Sequence, residues 1–204
     1  MSNSPFLRAL TNPSKAPNLA ALAIFLLALV VIFVFDFNGL IGQDTHEYYW
    51  FSHVISDFLL GKGDMEGFYW TIMYPFIWAL SQMVTGESPY ALQVISLLSH
   101  IGSAVFLLKY IQRNHIDKAA IIVIVVGYVF CPVMLKNGFH VMSEPLTVFF
   151  LCGSIYYFNE YSKYSKLKHL TYWFFFAAFA VFTRYPVFIL LVPQSIFIFL
   201  RIVK

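Results

Sequence analysis

The chain has 204 residues, of which 60% are hydrophobic, 20% aromatic and only 11% charged. A soluble domain carries about 25% charged residues, so this composition excludes a water-covered globule and points to an integral membrane protein. The net charge of +3 comes without a long run of Lys or Arg, which argues against a nucleic-acid partner.

Met1 to Asn18 is polar, with Arg8 and Lys15. Leu19–Phe35 is apolar and free of charge, and ends in Asp36-Phe37-Asn38 rather than at a small-residue cleavage site. It is expected to be a retained first span, not a signal peptide. Asp36 to Tyr74 is the longest polar region, with Asp36, Asp44, Glu47, Asp57, Asp64 and Glu66 against Lys62 alone. From Thr45 to Leu60, the residues Tyr48, Phe51, Ile55 and Phe58 recur at steps of three and four. That spacing predicts one face of a helix lying in the membrane interface, ended by Gly61-Lys62-Gly63-Asp64. Tyr74-Pro75 opens an apolar stretch, Phe76 to Val84, too short to span, and Thr85 to Pro89 is a turn.

Ala91–Leu108 is the second expected span. Its Gln93, Ser96, Ser99, His100 and Ser103 are expected to face other helices, because lipid offers no hydrogen-bond partner. A positive loop, Lys109 to Lys118, leads to a third expected span, Ala119–Leu135, and a brief exit loop, Lys136 to Glu144. Pro145–Phe158 begins the fourth, and Lys163, Lys166 and Lys168 form the next positive loop. Leu170 to Leu200 is apolar, but Arg184 and Pro186 near its middle predict a hairpin of two short spans. Cys131 and Cys152 have neither metal-site nor disulfide-framework spacing and read as apolar filler. The expected fold is all-α: a polytopic transmembrane helix bundle of about six spans, with interfacial helices in its first outer loop, forming one membrane domain over residues 1–204. Because the chain reaches Lys204 directly after an apolar run, it is expected to be an N-terminal portion of a longer protein.

The basic loops alternate along the chain with acidic or near-neutral ones. The positive-inside rule puts the basic ends in the cytoplasm. The Asp44 region, the Glu144 loop and Arg184 then share the outer face. A bacterial inner membrane, with the site on its periplasmic side, suits the short loops.

Two carboxylates three positions apart in so apolar a chain single out Gly42–Trp50. Asp44 suits a general base acting on an acceptor hydroxyl, with Glu47 as a neighbouring acid and His46 available to orient substrate or join Asp44 on a metal. Asp44-x-x-Glu47 equally resembles a helix-capping box. Glu144, in Met142-Ser143-Glu144-Pro145, is either a site acid or an acid favoured by the start of a helix. Arg184 is either a phosphate clamp or an arginine that reaches the interface or pairs with Glu144 or Asp44.

The order of these features resembles the GT-C superfamily of integral-membrane glycosyltransferases, especially its protein O-mannosyltransferase and aminoarabinose-transferase-like branch. The resemblance rests on the first span, Gly-x-Asp-x-x-x-Tyr in a long outer loop and Tyr74-Pro75 opening a short helix. It continues with Met142-Ser143-Glu144-Pro145-Leu146 heading a later span and Thr183-Arg184-Tyr185-Pro186 preceding another. It implies an enzyme that moves a sugar from a polyprenyl-phosphate donor to a lipid, glycan or protein acceptor, usually with inversion. Asp44 matches the family's catalytic aspartate, with Glu47 and Glu144 as substrate-binding acids and Arg184 facing the donor phosphate. The family often places a second acid directly beside the first, where this chain has Thr45. Some members need a divalent cation. Two other expectations stand beside it: a transporter or flippase, and a non-catalytic membrane fragment.

Overall fold

The computed structural model describes residues 15–65, 67, 71–114, 123, 127–128 and 131–203. Among these residues the fold is all-helical, with no strand. Helix α1 (Ala16–Phe35) takes up the uncharged first run and stops where Asp36 turns into the left-handed region at φ 46°. Gly42, at φ 90°, then admits α2 (Gln43–Leu59). The expected Asp44 cap and its capping box do not form. Glycine takes the N-cap position through a backbone angle that other residues rarely adopt, so the helix starts upstream and Asp44 falls inside its first turn. The acid still faces the favourable end of the helix dipole. Tyr48, Phe51 and Ile55 are buried as their spacing predicts, but Phe58 is exposed, a turn beyond the last buried position.

Helix α3 (Met73–Thr85) begins at the Tyr74-Pro75 step and packs on α2. Helix α4 (Pro89–Arg113) follows a short turn and outruns its predicted span at both ends. The third expected span lies largely outside the described residues. Beyond it, α5 (Pro132–Phe139) makes the start of the expected exit loop helical. Helix α6 (Ser143–Tyr164) packs against α4 and most extensively against α7 (Leu167–Thr183). At Arg184 the chain leaves the helical region (φ −153°, ψ 114°), two residues before Pro186, while Tyr185, the residue before the proline, is itself in a helical turn. A 3-10 turn, Tyr185–Val187, then leads into α8 (Phe188–Ile202). The Trp173 indole donates to Gln194 Oε1 at 2.8 Å, and Arg201 donates to the Ser162 carbonyl and to Ser165 Oγ, so α8 returns antiparallel beside α7.

Asn18–Phe35 and Pro89–Arg113 are long and apolar enough to cross a membrane; Leu167–Thr183 and Tyr185–Arg201 are apolar but shorter. The bundle wears apolar side chains outward. Leu22, Phe33 and Val34 on α1, Phe174 on α7, and Ile189 and Phe199 on α8 are all exposed. Inside, the polar stripe of α4 is buried, as expected. Ser99 and Ser103 bond back to carbonyls four residues earlier, while Gln93 Nε2 donates to the carbonyls of Phe37 and Phe139 at 3.0 Å each. That amide ties the loop after α1 to the end of α5, and Val141 N–H adds a bond of 3.0 Å to the Gly39 carbonyl.

The α6–α7 contact depends on the missing side chain of Gly153. A Cβ there would come within 2.3 Å of the Phe176 ring. Phe176 cannot swing aside freely, because Phe106, Phe149 and Tyr157 hold it from several directions. Small residues permit this close approach of helices. Gly153→Val is expected to destabilise the fold by roughly 1–3 kcal/mol through overpacking, measured as a lower thermal midpoint in detergent. An unchanged midpoint would show the contact to be looser than described.

Candidate functional site

The two ends of the bundle differ in charge. At one end Arg113 Nε donates to Glu160 at 3.0 Å, and Lys163 Nζ donates to the Arg113 carbonyl and to Asn114 Oδ1 at 3.0 Å each. Lys166 and Arg201 lie against tyrosine rings nearby. The opposite end carries the first turns of α2 and α6 and the C-terminus of α7, hence Asp44, Glu47, Glu144 and Arg184. The alternation of loops along the sequence predicts this sorting.

Two of the predicted residues meet directly. Arg184 donates through Nη2 to Glu144 Oε1 at 2.6 Å and through Nε to Ser143 Oγ at 3.2 Å. Both partners stand in the first turn of α6, where Pro145 gives up no hydrogen bond by lacking an N–H. The arginine is held from behind as well, since Thr71 Oγ1 donates to the carbonyl of its neighbour Thr183. The pair is partly open to solvent, with Arg184 40% and Glu144 26% exposed. Its Coulomb attraction is therefore screened, and hydrogen-bond geometry counts for more than charge alone. Glu144 Oε2 is buried and has no partner among the described residues.

A cavity of about 310 Å³ lies against this pair, walled by Val148 of α6, Pro186 and Val187 of the 3-10 turn and Leu190 of α8. At about 30 Å³ per water this volume equals that of roughly ten waters. One side of the cavity is thus an ion pair with Thr147 beside it, and the rest is apolar. Leu190 is itself 56% exposed and adjoins exposed Phe188 and Ile189, so the apolar wall runs onto the outer surface of the bundle.

Asp44 does not line this cavity. It is exposed on the first turn of α2 and makes no hydrogen bond or ion pair among the described residues. One turn further along α2, Tyr48 shares a hydrogen bond of 2.8 Å with Ser143 Oγ, which also accepts from Arg184. A chain of side chains therefore runs from the helix of Asp44 to the arginine. Behind it Tyr74 shares a 2.8 Å bond with Ser96, whose hydroxyl donates to the Met142 carbonyl at 3.3 Å. Burial pushes the Tyr48 and Tyr74 hydroxyls up from their ordinary pKa, against the lowering effect of their serine partners. Both remain neutral near pH 7.

No family model, curated protein or solved structure matches this chain. What the site can do therefore follows from its own residues. Glu47 is half-exposed on α2 and is not joined to the Glu144–Arg184 pair. His46 is exposed. Asp44 and His46 are two positions apart on a helix and so point to different sides. Among the described residues no three His, Cys, Asp or Glu side chains gather as a metal site. The donor set around Asp44 does not fit a divalent cation. Ser143 and Tyr48 both stand in the quoted motifs, but the sequence assigns neither a role in the site. Their signals are local: Ser143 immediately precedes Glu144, and Tyr48 lies four residues, one helical turn, after Asp44.

Proposed function

We propose that the chain is a multi-pass membrane module of about six spans that transfers a sugar from a polyprenyl-phosphate donor to an acceptor, in the manner of GT-C glycosyltransferases. The basic end lies in the cytoplasm and the Glu144–Arg184 end outside, in the periplasm if the membrane is a bacterial inner membrane. The acceptor is a lipid, a glycan or a protein. One observation carries the reading: an arginine and a carboxylate, 40 residues apart in sequence, meet at a cavity whose remaining wall is apolar and continues onto exposed apolar surface. A lipid-linked phosphate presents the complementary pattern, an anion joined to a hydrocarbon chain.

In this reading the polyprenyl chain lies along Val187 and Leu190, and the phosphate meets Arg184. Asp44 takes the proton of the acceptor hydroxyl as its oxygen bonds to the anomeric carbon. The bond from that carbon to the phosphate oxygen breaks, and the electron pair leaves with the polyprenyl phosphate. Arg184 stabilises the charge that develops there. Attack opposite the leaving group inverts the anomeric centre. A transporter or flippase is favoured by a different observation, the buried polar stripe of α4 with His100 Nε2 lacking a partner among the described residues.

Purified full-length protein, given a radiolabelled polyprenyl-phosphate sugar and a panel of lipid, glycan and peptide acceptors, separates the two. Label appearing on an acceptor supports transfer. Label that crosses the bilayer of sealed vesicles without leaving its carrier supports transport and overturns the enzyme reading.

A further inference from the structure

The contact between Glu144 and Arg184 uses only part of what each group offers. Glu144 accepts through Oε1 alone, and its buried Oε2 has no partner among the described residues. Arg184 donates through Nη2 to the carboxylate and through Nε to Ser143, while Nη1 makes no hydrogen bond among the described residues. A fully engaged arginine–carboxylate pair is bidentate, with two parallel bonds. Here Ser143 takes one arm of the fork, and a single bond remains for the acid.

We propose that Glu144 is a resident competitor for Arg184: it neutralises the guanidinium while the cavity is empty, and the phosphate of an amphipathic phosphate ester displaces it on binding. The proposal rests on the lipid-phosphate reading of the cavity and adds how its arginine is kept neutralised while the cavity is empty. Ser143 holds Nε throughout, so the guanidinium stays aimed while its Nη edge changes partner. A phosphate presents several oxygens to that edge and reaches Nη1 and Nη2 together, which the carboxylate does not do. The exchange matches charge for charge, so Arg184 is never left unpaired.

A static clamp makes the opposite prediction from a competitor. If Glu144 merely orients Arg184, removing its charge weakens phosphate binding. If it competes, removing its charge strengthens binding. The probe is farnesyl phosphate, titrated calorimetrically into the full-length protein in lipid nanodiscs, with inorganic phosphate and farnesol as separate arms. Glu144→Gln is expected to tighten farnesyl phosphate by roughly tenfold, the scale of one hydrogen bond between charged groups. Arg184→Ala is expected to weaken it by a similar factor or more, and Arg184→Lys by less, because a lysine keeps the charge without the fork. Farnesol is expected to respond to none of these. Inorganic phosphate should show the same order of effects at lower affinity, because it lacks the chain that the apolar wall receives.

Glu144→Gln that binds farnesyl phosphate equally or more weakly, while Arg184→Ala still weakens it, overturns the exchange and leaves the lipid-phosphate site standing. Binding indifferent to both arginine variants, or farnesol losing affinity as much as farnesyl phosphate, overturns the site and the exchange together. Each variant is first checked for a single elution peak and a cooperative thermal transition above the titration temperature. Glu144→Ala carries the same test should the glutamine variant fail that check.

Discussion

Asp44→Asn is expected to reduce sugar transfer by about a thousandfold or more in the full-length protein while leaving it folded and inserted. The size follows from the role. General-base catalysis contributes about 10²–10⁴-fold, and an amide of the same shape cannot accept the proton. The fold should not notice the change: Asp44 is exposed and makes no hydrogen bond or ion pair among the described residues, and Gly42 rather than Asp44 begins the helix. Losing a carboxylate in the first turn removes only a helix-dipole contribution of about 0.3–1 kcal/mol. The measurement is initial rate with saturating donor and acceptor, with a melting curve alongside. Near-normal turnover would remove Asp44 from the chemistry and leave the base to another residue.

Arg184→Ala is expected to lower kcat/KM for the donor by about a hundredfold, the usual scale for losing one group that stabilises a leaving or developing anion. The apparent KM for the acceptor should stay within about twofold, taking the donor site and acceptor site as separate binding steps. Steady-state kinetics with each substrate varied in turn checks this. A change confined to the acceptor would place the arginine on the wrong substrate. The substitution also strands Glu144, whose Oε2 already lacks a partner among the described residues. Glu144→Gln/Arg184→Ala therefore serves as the structural control: it should recover stability lost in the single variant without recovering donor use.

Much of the helical layout is legible because chain breaks have local causes. Gly61 at φ 68° closes α2, Gly86 at φ 75° closes α3, and Pro186 forces the kink that exposes Arg184 between α7 and α8. The buried side of α4 follows from the poor fit of serine, glutamine and histidine to lipid. Phe58 shows where periodicity stops helping: spacing names a face but not how far the neighbouring helix extends along it. The same limit applies to the site. That Glu144 and Arg184 share an end of the bundle follows from alternating loop charge, but their 2.6 Å contact depends on how α6 and α7 pack. The link from Tyr48 to Ser143 joins residues 95 positions apart through two hydroxyls, and hydroxyls leave no periodic mark in a sequence. Asp44 sits inside the first turn because Gly42 takes the cap of α2, and a capping-box pattern cannot anticipate a glycine taking the cap.

The partners of the ion pair are made at different times. Arg184 follows Glu144 by 40 residues, so at about 5–20 residues per second the acid waits roughly 2–8 s for its arginine during synthesis. At the basic end the order is reversed: Arg113 exists before Glu160, the acid it will hold. The acid that emerges second thus finds its cation already in place, whereas the acid that emerges first must stay in water until the hairpin of α7 and α8 arrives. The Glu144 end of the bundle therefore closes only once α7 has been made, and a ribosome stalled between residues 144 and 184 would leave a nascent chain with its future cavity still unbuilt.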